Sequence, residues 1–401
     1  MNADPDPEVP PSRRPGQADQ PSTAAAEPPS STRRSPAWAK VLVAFGAVAM
    51  VLGGVGVVLP KLVIGHFEDG VVQVPILSDA PQTIDGPINM LLLGMDERTG
   101  AQAEGMVRAD SIVIVHIPAS HDRAFLVSIP RDTEVAIPPF PDTRYPGDDA
   151  DKINAAFAFG AKVAGGNASV WDRRVDTSPE GRGRGAALTA MTIDKLVPGG
   201  LRFNAVVVLN YDGFLSILNV LGPVEMCVDT PVHSIHFDAQ GRAVYPDLPD
   251  GVGYYYKKGC YEMQPWQALD FSRQRHGLAD SDYGRQRHQQ QLIKAIVRKA
   301  TSAGVLTNLP KLLELQRAAG NLLTLDLGGV GMEEWIYTLS GLRSDDLVMV
   351  KTNGGRFYSV GAKDSGNQTL SPDSLDLLGA VSKDTVIDFL QQHPDWVAAD
   401  Q

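Results

Sequence analysis

The sequence predicts an α/β protein: a layered α/β/α domain with a central mixed sheet, preceded by a single transmembrane helix. Short apolar runs of strand length alternate with longer segments of helical length between residues 86 and 395. This alternation is typical of a sheet covered by helices on both faces. The chain has 401 residues, which is ample for a large core. An uncharged apolar run before this region accounts for the transmembrane prediction.

The first forty residues differ in composition from the rest of the chain. They contain nine of the 29 prolines and one aromatic residue, Trp38. A segment with so few large apolar side chains cannot bury enough surface to offset the entropy that ordering would cost. We therefore expect residues 1–40 to be a disordered tail.

The apolar run Val41–Leu59 has nineteen residues and no charge. At about 1.5 Å per residue it is long enough to cross a bilayer. Arg33, Arg34 and Lys40 precede it, and such an excess of positive charge places the preceding tail in the cytoplasm. A cleaved signal peptide is the alternative, but the tail is too long and the run exceeds a usual signal core.

These features predict a single-pass protein of the cell membrane, with a cytoplasmic N-terminus. The anchor is expected at 41–63, a linker at 64–85, and one extracytoplasmic domain at 86–395.

Strands are predicted where runs rich in Val, Ile and Leu are bounded by turn or polar residues. They are Ile88–Leu93, Ser111–Ile117, Ala124–Ile129, Phe203–Asn210 and Val224–Asp229. The predicted helices are Lys152–Ala164, Ala186–Leu196, Tyr211–Val220, Gln264–Arg275, Asp282–Ser302, Pro310–Leu322, Glu333–Leu342 and Thr385–Gln392. The glycine- and arginine-rich tract 165–185 is expected to be a surface insertion with solvated arginines.

Two cysteines, Cys227 and Cys260, lie in the predicted extracytoplasmic domain. In an oxidising compartment they are expected to form a disulfide; two buried free thiols are the alternative. Neither cysteine has a second Cys or a His at the spacing of zinc ligands, so a zinc site is not expected.

A cluster of arginines stands out against a formal net charge of -11. The overall acidity argues against nucleic-acid binding, yet Arg273, Arg275, Arg285 and Arg287 fall within fifteen residues. The guanidinium fork fits phosphate oxygens two at a time. If the flanking segments are helices, their facing ends bring these donors around one anion. The alternative is a solvated helix face with salt bridges.

Further charged residues follow or precede predicted strands. Asp96 and Asp110 lie at the tips of neighbouring strands, where two carboxylates can converge on Mg²⁺ together with phosphate oxygens. Arg131 and Asp132 follow another strand and form either a structural salt bridge or an oriented phosphate ligand. Lys152 opens a helix, whose N-terminus attracts anions. Together these residues suit a diphosphate, and outside the cytoplasm a lipid-linked diphosphate is more natural than ATP.

The order of motifs between about residues 88 and 300 resembles the LytR–CpsA–Psr family. The motifs are Leu-Leu-Leu-Gly-x-Asp, Arg-x-Asp-Ser, Ser-Ile-Pro-Arg-Asp, Lys-Ile-Asn-Ala-Ala-Phe, Gln-Ala-Leu-x-x-x-Arg-x-Arg, Asp-Tyr-Gly-Arg and Gln-Gln. The resemblance implies a phosphotransferase that moves a glycopolymer from a polyprenyl diphosphate carrier onto peptidoglycan. The 6-hydroxyl of N-acetylmuramic acid attacks phosphorus, and polyprenyl phosphate leaves.

The resemblance also implies roles for residues of this chain. The Mg²⁺-associated carboxylates correspond to Asp96 and Asp110. The residues implied to contact or line the diphosphate site are Arg131, Asp132, Lys152, Arg273, Arg275, Arg285 and Gln289. The residues expected to act in catalysis are Asp110, Arg131, Arg273 and Arg275. Many relatives carry Arg where this chain has His288, while here Arg287 stands one residue earlier.

Two other functions stay open on the sequence. One is a non-catalytic envelope sensor or regulator that binds polyprenyl diphosphate, and the other is a polyprenyl-diphosphate phosphatase. The paired carboxylates favour chemistry, because binding alone needs only the arginines. The sequence does not reveal which glycopolymer is transferred.

Overall fold

The computed structural model describes residues 72–78, 80–81, 83–95, 107–163, 175–245, 247–278, 282–302, 314–315, 317–339, 342–362 and 366–398. The predicted tail, the predicted anchor at 41–63 and the first part of the linker lie outside these residues. Among the helices that are described, none combines the length and the apolar character needed to cross a bilayer.

The strands, in chain order, are β1 (Val72–Gln73), β2 (Ile88–Met95), β3 (Ala109–Ile117), β4 (Ala124–Ser128), β5 (Glu134–Ile137), β6 (Asp148–Lys152), β7 (Ala205–Asn210), β8 (Val224–Val228), β9 (Val232–His233), β10 (Tyr255–Tyr256), β11 (Gly259–Met263), β12 (Leu323–Asp326) and β13 (Leu347–Lys351). The helices are α1 (Ile153–Gly160), α2 (Pro179–Leu196), α3 (Tyr211–Leu221), α4 (Pro265–Phe271), α5 (Asp282–Ser302), α6 (Met332–Leu339), α7 (Pro372–Ser382) and α8 (Val386–Gln392).

Seven of the described strands form the central sheet, in the order β1-β12-β7-β2-β3-β4-β13. The pairs β1–β12, β2–β7 and β4–β13 are parallel, and the pairs β7–β12, β2–β3 and β3–β4 are antiparallel. The sheet is therefore mixed, as the sequence predicts. Strands β12 and β13 were not predicted, because four- and five-residue runs carry little periodic signal.

Both faces of the sheet are buried under helices. On β2, Met90 and Leu92 pack into a core with α3, α4 and α5, whereas Leu91 and Leu93 pack into a second core with α1, α2 and α7. Alternate side chains of a strand point to opposite faces. Two separate cores on one strand therefore establish the three-layer α/β/α arrangement.

The prediction of a solvated insertion at 165–185 was wrong for its described part. Helix α2 begins at Pro179, and the Ser178 hydroxyl caps it by accepting a hydrogen bond from the third residue of the helix. Arg182 is only 6% exposed. A Cβ at Gly160 of α1 would lie 2.5 Å from the carbonyl oxygen of Arg184. Because Gly160 has no Cβ, the backbones of α1 and α2 can approach closely at this point. The glycine-rich segment is therefore a packed helix here.

Cys227 and Cys260 stand directly opposite each other on the antiparallel strands β8 and β11 and form a disulfide, with Cα atoms 3.9 Å apart. The bond joins residues 33 positions apart in the chain.

We expect the double variant Cys227→Ser/Cys260→Ser to lower the free energy of unfolding by about 3–4 kcal/mol, because the open chain regains loop entropy on unfolding. Urea unfolding of the variant and of reduced wild type measures this loss. The two should agree, because both lack the same cross-link. A loss under about 0.5 kcal/mol in both would contradict the expectation.

Candidate functional site

A cavity of about 300 Å³ lies between the sheet and helices α3, α4 and α5. Its interior is apolar, and the side chains that line it come from the middle of strands and from the inner faces of the three helices. They are Leu92, Val113, Val207, Leu209, Phe214, Ile217, Leu269, Leu292, Ile293 and Ile296. All belong to or pack against the core on that side of the sheet. The sequence gives no sign of a cavity here, because such residues have the spacing of an ordinary core.

Polar residues line the cavity at one edge of the sheet, where β2 and β7 end and β3 begins. Six residues that the sequence nominated lie here: Asp110, Arg131, Arg273, Arg275, Arg285 and Gln289. We call its four arginines, at 131, 273, 275 and 285, the arginine rim. Asp96 directly follows β2 but lies outside the described residues. Asp132 and Lys152 do not line the cavity and connect to it through Arg131.

Arg131 is held by carboxylates on both sides. Its Nη1 donates to Asp110 Oδ1 at 2.7 Å, and its Nε lies 3.6 Å from Asp132 Oδ2. Lys152 Nζ donates to Asp132 Oδ1 at 2.7 Å. Burial acts to lower the pKa of Arg131, but the charges of Asp110 and Asp132 outweigh it, so the pKa is raised. Arg131 is therefore a permanently charged donor in a fixed position.

Arg285 is nearly fully buried, with a side chain 5% exposed. Its Nη2 lies 2.7 Å from Asp282 Oδ1, while its Nε has no hydrogen-bond partner among the described residues. Burial lowers the pKa of Arg285. The carboxylates of Asp282 and Asp110 act to raise it, but the positive charges of Arg131 and Arg275 add to the effect of burial, and the pKa stays lowered. Because this site crowds cations that repel one another, a bound anion would relieve the repulsion.

Helix α4 ends at Phe271, four residues before the predicted end. The amides of Arg273 and Gln274 instead bond the carbonyls of residues three positions back, in a tight turn. Arg273 and Arg275 therefore lie on this turn and reach the cavity. The guanidinium carbon of Arg273 stands 4.7 Å from the centre of the Tyr211 ring, a stacking arrangement that orients the fork.

Arg287 does not join the arginine rim. It donates to Asp229 Oδ2 through both Nε and Nη2, and His288 Nε2 bonds Asp229 Oδ1 at 3.0 Å. These three residues line a second, smaller cavity beside the disulfide. Burial acts to raise the pKa of Asp229, but His288 and Arg287 together hold it well below its usual range. Arg287 therefore has a structural role and does not replace the family arginine at His288.

Asp229 should contribute a pH-dependent stabilisation. Its pKa is lower in the folded than in the unfolded state, so the stabilisation is complete above the unfolded value of about 3.9 and is lost as the pH falls through the folded value. We expect Asp229→Asn to lower the free energy of unfolding by about 1.5–3 kcal/mol near neutral pH. The difference in free energy of unfolding between wild type and Asp229→Asn should become smaller below about pH 4. Urea unfolding near neutral pH and below about pH 4 measures this difference. A difference that does not change with pH would contradict the assignment.

The donor set at the rim is compatible with Mg²⁺. Asp110 bonds Arg131 through one oxygen, and its other oxygen makes no hydrogen bond to a described residue. Mg²⁺ needs only one or two carboxylates, since phosphate oxygens and water complete its shell. The described residues contain no group of three or more His, Cys, Asp or Glu side chains that could hold a metal without a ligand.

A three-layer α/β/α domain whose apolar cavity opens on a rim of arginines defines the structural class of this protein. The chain belongs to the LytR_cpsA_psr family, whose family model matches residues 72–361. The resemblance seen in the motifs is thereby confirmed.

Curated relatives are similar over the same region. The polyisoprenyl-teichoic acid–peptidoglycan teichoic acid transferase TagU of Oceanobacillus iheyensis is 27% identical over 262 residues, covering 65% of this chain and 66% of the relative. The transferase TagV of Bacillus subtilis is 26% identical over 241 residues, covering 59% and 49%. The chain thus spans less than two thirds of the length of these relatives.

Solved structures share the fold. A crystal structure of B. subtilis TagV superposes with a TM-score of 0.50 at 18% identity, covering 76% of this chain and 99% of that one. A structure of TagT bound to LI-WTA superposes with a TM-score of 0.51 at 21% identity, covering 77% and 98%. At these identities the likeness establishes the mixed α/β architecture alone.

Proposed function

We propose that this chain is a membrane-anchored phosphotransferase of the cell envelope. It moves a glycopolymer from a polyprenyl diphosphate carrier onto the 6-hydroxyl of N-acetylmuramic acid in peptidoglycan and releases polyprenyl phosphate. The observation that carries the proposal is the apolar cavity of about 300 Å³ lined at one edge by four arginines. The names of the curated relatives, which are polyisoprenyl-teichoic acid–peptidoglycan transferases, support the same reaction class.

The two parts of the cavity suit the two parts of such a carrier. An isoprenoid chain gains about 0.8 kcal/mol for each buried carbon group, and the interior offers apolar side chains from β2, β3, β7 and three helices. A diphosphate cannot enter that interior without losing its hydration. It therefore stays at the arginine rim, where guanidinium groups replace water, and the bond to be broken is held at the edge of the sheet.

Catalysis of phosphoryl transfer depends on positioning the reactants and neutralising their charge more than on covalent chemistry by the protein. Arg131 and Arg285 are fixed by Asp110 and Asp282, so they meet the phosphate without reorganising. Arg273 and Arg275 approach from the turn after α4, and Gln289 adds a neutral donor from α5. Asp110, with Asp96, would hold Mg²⁺, which supplies further neutralisation of charge on the diphosphate oxygens.

The membrane placement is part of the proposal. It rests on the apolar run at 41–59 and the basic residues before it. The disulfide between Cys227 and Cys260 agrees with an oxidising compartment outside the cytoplasm for the domain.

The test uses the full chain in detergent, a short polyprenyl diphosphate carrying a sugar, and peptidoglycan oligomers, with Mg²⁺ or with chelator. A phosphodiester between sugar and peptidoglycan, together with polyprenyl phosphate, supports the transferase. Phosphate release without a glycan adduct would support the phosphatase. Tight binding without any product would support the sensor.

A metal-binding role for Asp110 predicts a change in the Mg²⁺ requirement of the reaction. We expect Asp110→Asn to raise the Mg²⁺ concentration needed for half-maximal transfer, because one of the carboxylates that hold the ion is lost. Rate measured against Mg²⁺ concentration tests this. The matched control is Asp132→Asn, which also removes a carboxylate partner of Arg131 but no proposed metal ligand. Equal Mg²⁺ requirements in both variants would remove Asp110 from the metal site.

A further inference from the structure

A histidine and a fully buried aspartate meet beside the arginine rim. His236, in the segment between β9 and β10, lines the same cavity as Arg273 and Asp110. Its Nδ1 lies 2.7 Å from Oδ1 of Asp270 on α4, and Asp270 has 0% exposure. The site residues nominated from the sequence do not include this pair. His236 and Asp270 lie 34 positions apart in the chain, and Asp270 falls at an unspecified position of the Gln-Ala-Leu-x-x-x-Arg-x-Arg motif.

The environment of Asp270 fixes the orientation of the imidazole. Tyr256 Oη donates to Asp270 Oδ2 at 2.7 Å, and Gln274 Nε2 donates to Oδ1 at 2.8 Å. Burial and the neighbouring carboxylate raise the pKa of Tyr256, so its hydroxyl remains a donor. Nδ1 of His236 also lies 3.2 Å from Gln274 Nε2. Because Asp270 Oδ1 is the closer partner at 2.7 Å and a carboxylate only accepts hydrogen bonds, we assign the hydrogen to Nδ1. In the neutral ring Nε2 is then the basic nitrogen.

That second nitrogen belongs to a side chain that lines the cavity. His236 Nε2 makes no hydrogen bond to any described residue, and the side chain is 15% exposed. Two other described histidines differ from His236. His116 uses both ring nitrogens, on Asn89 and Asp384. His276 also lines the cavity, but its partner Asp250 is 70% exposed, so that pair is poorly fixed.

We propose that His236 is the general base of the transfer reaction and that Asp270 is its positioning residue. This inference rests on the proposed function. Nε2 removes the proton of the acceptor hydroxyl as that oxygen bonds to the sugar-linked phosphorus. The bond from this phosphorus to the bridging oxygen breaks, and the bridging oxygen leaves with its electron pair as part of polyprenyl phosphate. The imidazolium afterwards returns its proton to solvent.

The geometry favours His236 over the carboxylates at the rim. Asp110 already accepts a hydrogen bond from Arg131 and is the proposed metal ligand, and a cation makes a carboxylate a poor base. Asp270 and Tyr256 lie behind His236. The other charged or titratable residues of the cavity lining are Asp110, Arg131, Tyr211, Asp247, Arg273, Arg275, His276 and Arg285. An aspartate behind a histidine stabilises the imidazolium that forms.

The decisive variant is His236→Asn, measured on the full chain in detergent. The asparagine amide can still donate to Asp270 in place of Nδ1, while the basic nitrogen is gone. The matched control is His233→Asn on β9, where the native Nδ1 likewise bonds a neighbour, the carbonyl of Gly253. His233 does not line the cavity.

We expect His236→Asn to lower the transfer rate by about 100- to 10,000-fold, with unchanged thermal unfolding and unchanged affinity for the lipid diphosphate. The fall in wild-type rate on the acid side should disappear, and added imidazole should restore part of the rate. His233→Asn should keep the wild-type rate and pH profile. Asp270→Asn should also lose rate, because an amide can donate to Nδ1 and favour the wrong tautomer.

Two results would overturn the inference while leaving the proposed function intact. One is transfer by His236→Asn within about threefold of wild type. The other is a lowered rate with the acid limb unchanged and no response to imidazole, which would make His236 structural. A wild-type chain that binds the lipid diphosphate and never forms the phosphodiester would instead contradict the proposed function, and the inference with it.

Discussion

Replacing Arg275 with alanine is expected to lower the transfer rate by about 100- to 1,000-fold, the usual loss when one preorganised donor to developing charge is removed. The guanidinium of Arg275 is half-buried at the cavity and makes no hydrogen bond or ion pair with another described residue. Its removal therefore leaves no carboxylate unpaired. The free energy of unfolding should change by less than about 0.5 kcal/mol, and the affinity for inorganic diphosphate should fall.

Arg287→Ala is the matched control, since it removes an arginine from the same stretch of sequence. Arg287 binds Asp229 and lies in the second cavity. This variant should keep transfer activity and lose stability. Activity assays and urea unfolding should therefore show lost activity with unchanged stability for Arg275→Ala, and unchanged activity with lost stability for Arg287→Ala. If Arg275→Ala transfers normally, or if both variants behave alike, the arginine rim is not the diphosphate site.

Filling the cavity is expected to weaken binding of the lipid chain and to leave binding of the diphosphate headgroup unchanged. Val207 on β7 lines the cavity, and Val207→Phe places a ring where an isoprene unit would lie. Excluding a five-carbon unit removes about 4 kcal/mol of burial at about 0.8 kcal/mol per carbon, so Kd for a short polyprenyl diphosphate should rise up to roughly 1,000-fold. The affinity for inorganic diphosphate should stay the same, which separates this effect from that of Arg275→Ala.

The neighbouring residue of the same strand provides the control. Val206 points to the opposite face and packs in the core with α1 and α2. Val206→Phe overpacks a filled core and should cost about 1–3 kcal/mol of stability while leaving lipid affinity unchanged. Calorimetric titration with both ligands and urea unfolding measure the pair. Equal lipid affinity in wild type and Val207→Phe would place the lipid elsewhere.

Local sequence was sufficient for the strands that build the middle of the sheet. The runs at 88–93, 111–117 and 124–129 are dense in β-branched and aliphatic residues, and the structure places β2, β3 and β4 there. The short strands β12 and β13 gave too few residues for a periodic signal. Helix α2 was missed over its first turns because glycine lowers helix propensity. There the close contact with α1, which no local rule contains, overrides the propensity.

The sequence by itself determined which residue types are available for the site: the arginines after α4 and on α5, the carboxylate at the start of β3, and the Arg-Asp pair after β4. Ordered motifs carry this information because each sits at a strand end or in the first turns of a helix. Only the tertiary structure decided how they are used. It assigned Arg285 to the cavity and Arg287 to Asp229, it opened an apolar cavity inside what looks like ordinary core, and it placed His236 on Asp270. The physical reason is that side-chain direction, cavity volume and the pairing of distant charges depend on how helices and sheet pack together, and packing is a property of the whole chain.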